Sequence, residues 1–165
     1  METQKKSERI KTIIDHSELL DHWHGHRGLT RRVIEAFPEK EFFEYSIGGM
    51  RTFSKMVQEL LDISAPGIRQ MTGNEVAEIN EGHVEKAKSK AEILALWDEA
   101  TEEINKYWAL IPVAKFHDTI LSFGQYEGLI WSNIFYFIDN EIHHRAQAYV
   151  YLRSLGIEPP AFWDR

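Results

Sequence analysis

The chain has 165 residues, 43% of them apolar and 27% charged, which suits one packed core and excludes wholesale disorder or a collagen-like fibre. Its net charge of -7, from 19 basic and 26 acidic residues, opposes phosphate backbones and disfavours a nucleic-acid partner. With no cysteine, disulfides, thiolate zinc sites and a cysteine nucleophile are ruled out, leaving His, Asp, Glu and Asn as metal ligands.

No apolar run reaches the roughly 18 residues that a membrane helix needs, and the start METQKKSERIKTIIDH lacks the apolar core of a signal peptide. The expectation is a cytoplasmic protein with no membrane partner, forming a single domain over residues 1–165.

The first predicted helix runs from Ser7 to Phe37 and stops at Pro38. His16, Leu19, Trp23, His26, Thr30, Val33 and Phe37 fall at spacings of three and four and form its inner stripe, in competition with Ile13, Leu20, Arg27 and Ile34. His22 and His26 lie one turn apart, but no acidic partner is fixed by spacing.

After a connection turning at Gly48-Gly49, the second helix starts near Thr52 and points Phe53, Val57, Leu60 and Leu61 inward; Pro66-Gly67 is expected to kink or break it. Residues 73 to 88 read as a polar connection with room for a short extra helix. The third helix begins with a capping box at Ser89 and Glu92 and repeats Ile93, Trp97, Ala100, Ile104, Tyr107 and Ile111. The following stretch, VAKFHDTILSFGQYEG, either pairs as a short hairpin or wraps the bundle. A fourth helix spans Tyr126 to Leu155, closed by Gly156 ahead of Pro159-Pro160. Four amphipathic helices without repeated strands predict an all-α four-helix bundle.

The inner face of the fourth helix mixes Asn133, Phe137, Asn140, His144, Gln147 or Ala148, and Tyr151. Buried polar groups cost free energy unless they find partners, so Asn140 and His144, one turn apart, need an explanation. Both project the same way, and Glu59 on the second helix lies on a stripe with Met56 and Ile63, so the three form a candidate metal-ligand set. The alternative is a buried hydrogen-bond network without metal. In that case Glu59 with Lys55, Glu141 with Arg145, and Asp139 with His143 read as ordinary exposed helix pairs. Glu141 and His144 also make one E-x-x-H step, whereas di-iron bundles use two.

The ending NEIHHRAQAYVYLRSLGIEPP resembles the DinB/YfiT-like superfamily, whose last helix carries a His, three residues, then His-Arg-Gly-Gln, followed by Tyr-Leu-Arg and a Gly before prolines. MRTFSKMVQELLD is similar to that family's second helix, where a motif beginning Met-Arg-Ser-Phe leads to a ligand histidine. The resemblance implies up-down-down-up helix order, a divalent metal held by three histidines, and a homodimer. Characterised members include thiol transferases using bacillithiol or mycothiol and a maleylpyruvate isomerase. Here His144 matches the last ligand, Asn140 and Glu59 stand where the other two usually are, and Ala146 replaces a glycine.

Exchanging two imidazoles for oxygen donors favours a harder ion than zinc or nickel, or none. Two readings follow from this set. In one, Glu59, Asn140 and His144 hold a divalent metal of unspecified identity, and the protein is a thiol S-transferase or hydrolase acting on a small molecule or low-molecular-weight thiol. Arg145, Gln147 and Tyr151 then support the ligands or touch substrate, and no catalytic residue is assigned. In the other there is no cofactor, Glu59 pairs directly with His144, and the bundle is a binding or dimerisation module in a stress response. Phe135, Tyr136, Tyr149 and Phe162 are available for an interface.

Overall fold

A computed structural model describes residues 13–73 and 87–165. The expected short extra helix falls in the stretch between and lies outside the described residues.

The first helix, α1, spans His16–Ala36, and the expected start at Ser7 lies outside the described residues. Its start is set by a capping box that the apolar stripe does not reveal: Asp15 accepts from the Ser17 and Glu18 amides, and Glu18 reaches back to the Asp15 amide. Leu19, Trp23, His26, Thr30, Val33 and Phe37 are buried as the first stripe predicts. Arg27 and Ile34 from the competing stripe are buried too, because α1 is flanked on both sides. Within the following connection a two-turn helix, α2 (Glu39–Glu44), buries Phe42 against Phe53.

The next helix, α3 (Phe53–Met71), does not break at Pro66-Gly67. Gly67 serves packing instead, since a Cβ there would lie 2.4 Å from Cζ of Phe137. Ring and backbone fit only because the position is bare. Phe53, Val57, Leu60 and Leu61 are all buried, as the spacing predicts.

The third long helix, α4 (Lys90–Trp108), is capped by Ser89, whose side chain accepts from the Glu92 amide. The reciprocal half of the expected box is absent, because the Glu92 carboxylate accepts from the Lys88 amide instead. A 3-10 turn at Val113–His117 leads into a hairpin of β1 (Thr119–Ser122) and β2 (Tyr126–Leu129), paired Thr119 to Leu129 and Ser122 to Tyr126. The last helix, α5 (Ile130–Ser154), therefore starts four residues later than predicted, its first residues having gone to β2. Gly156, at φ 76°, closes it in the left-handed conformation that favours glycine.

The fold is mostly helical, with a small two-stranded sheet. Helices α1 and α3 each pack against both α4 and α5. Trp23, Trp97 and Trp108 fill the centre. No helix among the described residues is long and apolar enough to cross a membrane.

Candidate functional site

Two faces of α5 carry polar side chains towards different neighbours. On the face towards α1, the Glu141 carboxylate is buried and accepts from Trp23 Nε1 at 3.2 Å and from Thr30 Oγ1 at 2.7 Å. Arg27 and Arg145 stand 3.8 and 3.7 Å from it. Arg145 also donates to the His26 carbonyl and Thr30 Oγ1, and its Nη2 lies 2.8 Å from His26 Nδ1. Burial pushes the Arg27 guanidinium down to about 10, while Glu141 pulls it the other way.

The expected exposed pair of Glu141 and Arg145 is thus a buried ionic network, because α5 turns this face to α1 rather than to solvent. Arg145 does not reach Glu59. Glu141 and His144 diverge, which removes a shared E-x-x-H ion site. His22 and His26 do face each other, with their Nε2 atoms 3.2 Å apart. With Arg145 against Nδ1 of His26, however, the oxygen acceptor that usually backs a metal-bound imidazole is replaced by a donor.

On the face towards α3, Glu59, Asn140 and His144 come together. Asn140 Nδ2 donates to Glu59 Oε1 at 2.9 Å, and His144 Nε2 lies 3.2 Å from the same oxygen. Gln147 Oε1 stands 3.1 Å from His144 Nδ1, an acceptor that aims the opposite nitrogen at Glu59. His144 is buried, while Glu59 is partly open to a cavity. The expected Glu59 pairing with Lys55 gives way to Arg51, whose Nη1 lies 2.6 Å from Glu59 Oε2 and whose Nη2 lies 3.4 Å from His144 Nε2. The hydrogen bond with His144, followed by those from Asn140 and Arg51, draws the Glu59 carboxyl down to about 2 against the opposing effect of burial.

Arg51 is the site residue that helix periodicity misses. It precedes the first turn of α3, so no inward stripe includes it; only its place in the MRTF motif marks it. Tyr151, buried on α5, donates its hydroxyl to the Arg51 carbonyl at 2.8 Å and so holds this residue's backbone rather than lining the site.

Arg51 and Glu59 form part of the wall of a cavity of about 790 Å³ between α3, the hairpin and α5, together with Lys55, Phe123, Tyr126 and Tyr136. Phe123 sits at φ 53°, a conformation that costs a non-glycine residue about 1–2 kcal/mol. Gln70 holds it there, accepting from the Phe123 amide and donating to the Leu121 carbonyl. Burial, then Glu59, raises the Tyr136 hydroxyl above its ordinary value.

Glu59 and His144 are spaced much as two ligands of one ion would be. The charge is not suited to one. A positive group at about 4 Å near a protein surface repels each unit of added positive charge by about 4 kcal/mol, and Arg51 supplies that group. With Arg51 in place the residues do not fit a divalent metal.

The DinB family model matches residues 1–164. The chain belongs to the DinB family. Its fold is shared with a crystal structure of a DinB-like protein from Bacillus cereus ATCC 10987, at a TM-score of 0.71 and 15% identity, covering 88% of this chain and 95% of that one. A DinB-like protein of Bacillus subtilis, YjoA, superposes at a TM-score of 0.68 and 14% identity over 90% and 99% of the two chains. No curated protein sequence matches the chain. At these identities the likeness concerns the DinB fold alone.

Proposed function

We propose that this DinB protein binds a small molecule carrying an anionic group in the cavity beside Glu59, without a resident metal ion. The observation that carries this reading is the Arg51 ion pair with Glu59 and its approach to His144, placed in the wall of a ligand-sized cavity. Arg51 is half exposed, so part of its donor fork is open to a carboxylate or similar group, and Lys55 adds a second positive charge to a wall that also carries the Glu59, Asp62 and Glu127 carboxylates. Tyr126, Tyr136 and Phe123 supply apolar surface for the rest of the molecule. In this reading the long helices take the up-down-down-up order and the chain acts as a homodimer, supported by exposed aromatics such as Phe135 and Phe162.

A second reading, metal-dependent thiol transfer or hydrolysis on a small molecule, is favoured by the Gln147 contact that aims His144 Nε2 at Glu59. It requires Arg51 to leave. Thermal-shift and calorimetric screening of EDTA-treated protein against small carboxylates and low-molecular-weight thiols tests both. Binding that is weakened by Arg51→Ala supports the metal-free reading. Binding or thiol conjugation that appears only after a divalent ion is added contradicts it.

A further inference from the structure

Arg51 is held at its main chain and at the end of its side chain. Its carbonyl is held by the buried Tyr151 hydroxyl, which ties the start of α3 to α5. Its side chain ends between the two groups best suited to hold an ion, the Glu59 carboxylate and His144 Nε2. A guanidinium there is a built-in cation and needs no uptake from solution. Unlike a metal it has no open coordination position, and it recognises oxygen anions through N–H donors instead.

We infer that Arg51 is the resident cation of this site, standing in for a divalent ion, and that Glu59 and His144, joined by Asn140 once its amide turns its oxygen inward, form a latent ion site that the guanidinium blocks. Asn140 and His144 both converge on Glu59 Oε1, whereas Arg51 holds Oε2, so removing the guanidinium leaves the other three side chains in place. Gln147 continues to orient the imidazole. The hydrogen bond from Tyr151 goes to the main chain and survives a change of the Arg51 side chain.

The inference extends the metal-free reading, but its test uses metal ions alone, so the result of a ligand screen does not decide it. Tag-free protein dialysed against EDTA is titrated calorimetrically with Zn²⁺, Ni²⁺ and Mn²⁺ as wild type, Arg51→Ala and Arg51→Gln. The second variant keeps bulk while removing charge. Wild type is expected to take up no ion at this site, whereas both variants bind one ion at least about a hundredfold more tightly. Adding His144→Ala to Arg51→Ala abolishes that uptake, which separates it from binding at His22 and His26. Equal affinity in wild type and variants overturns the inference, as does failure of both variants, folded by circular dichroism, to gain an ion.

Discussion

Glu59 and His144, 85 residues apart in the chain, face each other at 3.2 Å across the seam between α3 and α5. Removing the carboxylate leaves a buried imidazole and the Asn140 amide without their shared partner. Glu59→Ala is therefore expected to lower stability by about 1–3 kcal/mol in urea unfolding. A change below a few tenths of a kcal/mol would show the contact to be energetically idle.

Gly67 reverses a common rule. Alanine in a helix interior normally gains up to about 1 kcal/mol over glycine, yet a Cβ here meets the Phe137 ring at 2.4 Å. Gly67→Ala should destabilise by about 1–3 kcal/mol, and combining it with Phe137→Leu should recover part of the loss. Thermal unfolding of the four proteins in that cycle measures the coupling.

The Glu141 network contributes more than a surface pair would. Glu141→Ala leaves Arg27 and Arg145 buried without their counter-charge, and a loss of about 3–5 kcal/mol is expected. Surface pairs such as Arg153 with Glu158 set the contrast at below about 1 kcal/mol. Denaturant titration of Glu141→Ala beside Glu158→Ala compares them directly.

Acid should weaken the fold through His26. Burial, with Arg145, His22 and Arg165 adding repulsion, lowers this imidazole from 6.5 to about 4. Between those values the unfolded chain takes up the proton more readily, so stability falls as pH drops from about 6.5 towards 4 and this contribution levels off below. His26→Gln should flatten that part of the profile of unfolding free energy against pH. An unchanged slope would assign the acid sensitivity elsewhere.

Much of the architecture was legible in the sequence because it rests on periodicity: the inner stripes of α1, α3 and α4 are buried where spacing placed them except at His16 and Tyr107, which are half-buried, and Gly156 closes α5 as its chemistry suggests. Boundaries were less legible. Asp15 set the start of α1 through a local cap, and Tyr126 to Leu129 left α5 because a hairpin partner upstream was available. The meeting of Glu59, Asn140 and His144 was readable from two stripes facing one interior. Arg51 was not, since a flexible side chain outside the helix can fold back onto it without leaving a periodic trace. Likewise the buried state of Glu141 and Arg145 depends on what packs opposite α5, which i to i+4 spacing does not specify.

Elemental analysis of protein purified without a histidine tag decides whether Arg51 or a metal completes the site of Glu59 and His144. No stoichiometric divalent ion is expected in the wild-type protein. One ion per chain, lost in a Glu59→Ala, His144→Ala double variant, would contradict this.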